Sequence, residues 1–206
     1  MTTKVQSDMY DIDGATVATV AAADKINFFD VTDSLVKEDT VQGVLDLVSA
    51  GFTQGTEQAT TSGSSVTFGS IPAGVDMVII NFAGVSLSAA DNMLIQLGSS
   101  SGIEASGYTS GGALIGDGNS TGSGATTTSG FHLQTSSASG VMGGQMTLTL
   151  EDAANYTWCS THIFYELSRY QIFGGGHKSL SGELTQVKIA PDSGNFDAGA
   201  INIMYM

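Results

Sequence analysis

The stretch VTFGSIPAGVDMVIINFAGVSLSAADNMLIQLG, residues 66–98, decides the fold class. Residues 75–82 are mostly β-branched or aromatic and are entered through Pro72-Ala73-Gly74. Residues 93–97 answer them across the small, polar segment 86–92. Apolar runs of this length, bounded by turn residues, are strands. Nothing else in the chain gathers so much apolar content into so few residues, so strand, turn and strand are expected at the middle of a β-sheet core.

Downstream, short strands recur at steady spacing. Residues 98–119 carry apolar islands (Ile103, Tyr108, Leu114, Ile115) among glycines, which reads as short strands or an excursion at one end of a sandwich. Residues 120–129 (STGSGATTTS) read as an exposed low-complexity loop. Residues 131–134 form a short strand. Residues 145–150 (QMTLTL) alternate, with Met146, Leu148 and Leu150 to one side and Gln145, Thr147 and Thr149 to the other. Residues 156–167 (YTWCSTHIFYEL) make one bent strand or two shorter ones. Gln171-Ile172-Phe173 then leads through Gly174-Gly175-Gly176, a hairpin or crossover, into residues 177–181. Residues 184–190 alternate again, Pro191-Asp192-Ser193-Gly194 turns the chain, and Phe196 with residues 200–206 makes the last strand, tied into the sheet. No helical pattern occurs beyond residue 50. The expected class is mainly β, an antiparallel β-sandwich of jelly-roll type.

Upstream, residues 1–23 read as an extended arm. Ile26, Phe28 and Phe29 form a short strand, residues 30–33 a turn, and Asp39 or Thr40 the N-cap of a short helix over 40–48. Val41, Val44, Leu45 and Val48 fall on one face of that helix. A helix so short needs a surface to dock on. The expected division is an N-terminal part over 1–55, a Gly/Ser/Thr-rich linker over 56–65 and a β-domain over 66–206.

Composition narrows the function classes. Six basic residues against twenty acidic ones give a net charge of -14 over 206 residues. Phosphate backbones and anionic membrane surfaces demand clustered Lys and Arg, so neither nucleic acid nor membrane is an expected partner. No segment approaches a membrane span, and the N-terminus lacks the basic and apolar regions of a signal peptide, so synthesis in a cytoplasm without export is expected. The single cysteine, Cys159, excludes an intrachain disulfide, which leaves packing or partner chains as the source of stability.

Several strings touch on catalytic or ligand chemistry. Residues 98–102 (GSSSG) match the nucleophile elbow formally, but no helix pattern follows, and a plain loop is favoured. Cys159, His162, His177 and His132 could be assembled into a zinc site, yet alternation sends Cys159 and His162 to opposite faces of one strand. A buried Cys and hydrogen-bonded or exposed histidines are therefore expected. Asp192, Asn195 and Asp197, and separately Asp11 and Asp13, offer oxygen ligands without EF-hand spacing, and turn-forming side chains are favoured. Residues 174–179 lack the glycine before lysine and the helix of a phosphate loop. Carboxylates for glycan cleavage would have to come from Asp91, Glu104, Asp117, Glu151, Asp152 or Glu166. No catalytic residue, metal or cofactor is expected.

The order of short motifs resembles a domain at the C-terminal ends of tail and fibre proteins of tailed bacteriophages. It rests on Phe68 with Ile71-Pro72-Ala73-Gly74, Phe82 with Gly84-Val85-Ser86, Gln96-Leu97-Gly98, residues 102–108 (GIEASGY), Trp158, Ser179-Leu180-Ser181-Gly182, Phe196-Asp197-Ala198-Gly199 and Ile201-Asn202-Ile203. The segment 23–48 is similar to adaptor segments that precede fibre domains. The resemblance implies a homotrimeric virion subunit, docked through Ile26, Phe28, Phe29, Val41, Val44 and Leu45 onto other phage structural proteins of tail, baseplate or capsid. Its β-sandwich head would face a glycan or protein of the host surface. Receptor contacts are expected from loops 86–92, 99–128 and 174–179 through Asn92, Tyr108, Asn119, Tyr170 and His177, with Trp158 in the core. His177 could also lie at a trimer axis. A capsid decoration or head-fibre protein and a glycan-cleaving depolymerase are the rival readings. No internal repeat of the kind that builds a β-helix supports the latter.

Overall fold

The computed structural model describes residues 21, 23, 25–30, 34–41, 51–116, 122–135, 137, 138, 140–167 and 170–206, with 28–30 as backbone only. The chain divides into two compact units, Met1–Ala50 and Gly51–Met206.

In the first unit β1 (Lys25–Asp30) pairs antiparallel with β2 (Leu35–Thr40), and Lys25 forms an ion pair with Glu38. The strand at Ile26, Phe28 and Phe29 is present, and its partner is a strand that the sequence does not signal. Asp39 and Thr40, expected to cap a helix over 40–48, are the last residues of β2, the Asp39 carboxylate accepts the Thr40 N–H at 2.7 Å, and Val41, next in the chain, is helical. The sequence LVKEDT alternates too weakly to announce itself; the pairing with β1 makes it a strand. Ile26 is 43% exposed and Val41 half-buried. The rest of the helix 40–48, with Val44 and Leu45, and nearly all of the arm 1–23 lie outside the described residues.

The second unit is an antiparallel β-sandwich. Its larger sheet runs in the order β10 (Ser123–Thr127), β9 (Thr109–Gly116), β14 (Tyr170–Ser179), β13 (Thr157–Glu166), β12 (Met142–Asp152), β6 (Met77–Leu87), β16 (Phe196–Tyr205), then β3 (Thr53–Gln54), with β4 (Gln58–Ala59) also on β16. The smaller sheet runs β11 (Phe131–Leu133), β7 (Met93–Ser99), β15 (Gln186–Pro191), β5 (Val66–Phe68), with β8 (Gly102–Ile103) on β7. One core cluster joins them. Val78, Ile80, Phe82, Met146, Leu148, Trp158, Phe164 and Ile172 come from the larger sheet, and Ile95, Leu97, Phe131, Leu133, Val187 and Ile189 from the smaller. Trp158 is in the core, as its place in a strong strand suggested.

The two strands of residues 66–98 that define the core do not pair with each other. β6 lies between β12 and β16, and β7 between β11 and β15, so residues 88–92 carry the chain from one sheet to the other. Each strand is the apolar centre of its own sheet, which is why both read as interior.

Segment 56–65, read as a linker, carries β4, and Thr60 is buried with its hydroxyl donating to the Ala198 carbonyl at 2.8 Å. The low-complexity segment 120–129 contains β10, an exposed strand paired with β9 rather than a loop. Residues 174–176 lie inside the continuous strand β14, neither a hairpin nor a crossover.

Candidate functional site

β13 and β14 pair without interruption from Thr157 opposite Ser179 to Glu166 opposite Tyr170. Side chains alternate along β13, so Trp158, Ser160, His162 and Phe164 enter the core while Cys159, Thr161, Ile163 and Tyr165 project outward. The outward set continues in register across the larger sheet. Ile163 stands opposite Phe173 and Gln145, Phe173 opposite Ala113, and Gln145 opposite Asn81, which faces Asn202. The row on one side holds Tyr165, Gln171, Ile115 and Gly143. On the other side lie Thr161 with Gly175, Gly111, Thr147, Ile79 and Met204, and then Cys159 with His177, Thr109, Thr149 and Met77.

None of these four rows contains Asp, Glu, Lys or Arg. In the first two of them Ile163 (69% exposed), Tyr165 (47%), Phe173 (42%) and Ile115 (43%) form one contiguous apolar group. Scattered exposed apolar residues are ordinary, but a contiguous patch on an uncharged face marks an interaction surface. Among the described residues the unit's acidic side chains lie elsewhere, at strand ends and turns, among them Asp76, Asp91, Asp152, Glu183 and Asp192.

Where β10 borders this face, a groove of about 730 Å³ is lined by Thr109, Thr126, Thr127, Thr128, His177 and the glycines 111, 175 and 176. A second depression of about 440 Å³ lies beside it, lined by Ala113 and Phe173 among others. The groove offers hydroxyls and one imidazole, a donor set for neutral polar groups.

The glycines have a structural cause. A Cβ on Gly174 would lie 2.7 Å from Nε2 of His162, one on Gly112 2.7 Å from the His132 carbonyl oxygen, and one on Gly175 2.7 Å from that of Ser160. Backbone approaches this close exclude any side chain, so the glycine run belongs to a strand packed tightly on its neighbours. His132 and His162 fill the space left on the inner side, 4% and 3% exposed. Neither nitrogen of His162, nor Nδ1 of His132, finds a hydrogen-bond partner among the described residues. Burial, reinforced by His132, pushes the His162 imidazole down to about 4, and burial lowers His132 against the opposing charge of Asp192. The glycines repeated at 111–112 and 174–176 were the available signal for this pair, but only the register of β9 against β14 brings them together.

The expected receptor residues separate. Tyr108 is 1% exposed, not displayed: its hydroxyl accepts the Leu97 N–H at 2.7 Å and donates to the Glu104 carbonyl at 2.9 Å, and its ring packs edge-on against Phe131. Burial pushes that hydroxyl up. Lys178 lies over the same ring, 5.6 Å from its centroid, and pairs with Glu104 at 2.6 Å. Burial alone would raise the Glu104 carboxyl, but Lys178 and two hydrogen bonds from Ser181 hold it below its ordinary value. Tyr170 is half-buried against the core. His177 is exposed on the outer face beside Cys159. Asn119 lies outside the described residues.

Asn92 belongs to a cluster of polar loops at one end of the sandwich. Its carbonyl accepts the Asp192 N–H at 2.9 Å and its side chain the Thr135 N–H at 3.3 Å. Asp91 accepts the N–H groups of Asn92 and Ser193, Ser88 accepts that of Asn195, and Asp197 accepts the Ser86 hydroxyl. Of the turn candidates Asp192, Asn195 and Asp197, the first two join this cluster through their backbone N–H groups and Asp197 through a side-chain hydroxyl, whereas Asp91 is the carboxylate that binds backbone. Of the three expected contact loops, 88–92 remains a loop, whereas 109–116, 123–127 and 174–179 are strands.

Cys159 and His162 do point to opposite faces, and no group of three or more metal-ligating side chains occurs among the described residues. Ser99, in the GSSSG string, ends β7 in a turn to β8, with no helix following. No protein-family model matches the chain, and no curated protein is similar to it. What fold and surface together define is an antiparallel β-sandwich with a neutral outer face on its larger sheet and a polar loop cluster at one end.

Proposed function

We propose that this chain is a structural subunit of a tailed-bacteriophage particle, assembled as a homotrimer. In this reading the unit Met1–Ala50 holds the subunit in the particle and the sandwich Gly51–Met206 is displayed toward the host surface. The observation that carries it is the division of the chain into a small hairpin-bearing unit and a self-contained sandwich. It is supported by the placement of the fibre-like motif residues, since Phe68, Ile71, Phe82, Val85, Leu97, Trp158, Leu180, Phe196, Ile201 and Ile203 are all core positions of that sandwich. Host contact falls to the loops around Asn92 and Asn195, where backbone and hydroxyl groups converge, and no longer to Tyr108.

The experiment is mass spectrometry of particles released from the cell that encodes the chain, purified by density gradient. The subunit is expected among the particle proteins at a copy number that is a multiple of three. Its absence from intact particles overturns the reading.

A further inference from the structure

The neutral outer face of the larger sheet has an occupant that the chain's own charge selects. A chain of net charge -14 repels its copies wherever acidic side chains meet. Among the described residues, the four rows from Tyr165 to Cys159 form a continuous field without such side chains, and the half that holds the Tyr165 and Ile163 rows is apolar. We propose that this face is where copies of the chain pack on one another, an inference that rests on the oligomeric reading above and assigns its interface.

At about 4.8 Å between strands and about 6.8 Å between alternate residues, each outward residue covers about 33 Å² of sheet, and the four rows present on the order of 690 Å². Turned toward a common axis, each face divides this area between two neighbours, and three copies together bury about 2,100 Å². The composition also suits an interface, depleted of charge, with an apolar and aromatic group (Ile163, Tyr165, Phe173, Ile115) bordered by Gln, Asn and Thr. Three copies can turn this face toward a common axis, each face meeting two neighbours, which a single continuous patch permits under cyclic symmetry. Cys159, the chain's only cysteine, lies half-exposed in the outermost row and becomes a reporter of whether the face is covered.

The test uses the full chain, with light scattering for mass and maleimide labelling of Cys159 without denaturant. The native chain is expected at roughly three times 21.1 kDa with its thiol protected. Ile163→Glu and Phe173→Glu, at outward positions, should retain the β circular-dichroism signal, run at the mass of one chain and label as a free thiol does. Thr161→Glu, in the same field, gives a second reading if either fails to fold, and Thr67→Glu, exposed on β5 of the other sheet, serves as control. Variants that stay trimeric place the contact elsewhere and overturn this inference while leaving the oligomeric reading intact. Dissociation by Thr67→Glu as well assigns the effect to total charge and also overturns it. A native chain that is monomeric, with Cys159 protected or free, overturns both.

Discussion

His162 places an unpaired imidazole in an apolar core, and its folded-state titration lies well below that of an unfolded histidine. Above pH 6.5 the ring is neutral in both states and contributes no pH dependence. As pH falls below 6.5 the unfolded chain takes up a proton that the folded chain refuses, so stability falls until the folded ring titrates near pH 4, a loss of about 3 kcal/mol. Urea midpoints taken between pH 7 and pH 4 should show this slope. His162→Leu should flatten it, leaving the smaller part that His132 contributes; an unchanged slope in that variant would assign the acid sensitivity to other groups. At this scale alternation alone separated Cys159 from His162 and placed Trp158 inside. It could not place Tyr108, because the glycine beside it suggested a loop, whereas its ring fills the gap beside Phe131 and its hydroxyl is bound by backbone from two segments.

Along β14 the inward residues change from Ile172 through two glycines to Lys178, a cation 8% exposed at the side chain. It is tolerated there because Glu104, the carbonyl of Ser179 and the face of Tyr108 all meet it. Glu104→Gln removes the negative partner and leaves a desolvated ammonium, at a cost of about 2 kcal/mol in thermal or urea unfolding. Adding Lys178→Met to that variant should restore part of the loss, since the uncompensated charge is then gone; no restoration would mean that Glu104 acts mainly through Ser181. The strands themselves were legible where apolar and polar residues alternate, as in β12 and β15. They were not legible where pairing rather than composition creates the strand. β10 (SGATT) exists through its register with β9, β2 through its register with β1, and the glycines of β14 through the close approach of β9 and β13.

For the molecule as a whole, the division at Ala50 predicts what removal of the first unit does. Because β3 and β4 pair with β16, the cut belongs at residue 50 and not at 55, ahead of both strands. A chain of residues 51–206 should keep the β circular-dichroism spectrum and a cooperative melt, yet no longer enter particles; loss of the melt would show that the sandwich depends on its N-terminal partner. Fold class was readable at this scale because apolar spacing reports strand after strand, while the assignment of strands to sheets was not, since nothing local tells β6 and β7 that they face rather than pair. The position of β16 has a consequence for how the protein is made. β6 emerges from the ribosome about 110 residues before β16 begins, which at 5–20 residues per second leaves it for on the order of ten seconds without one of its two neighbours. The hairpins β12–β13 and β13–β14 can close during translation, but the sheet's centre waits for residues 196–205, so the nascent chain carries an unpaired apolar strand edge until those residues have emerged.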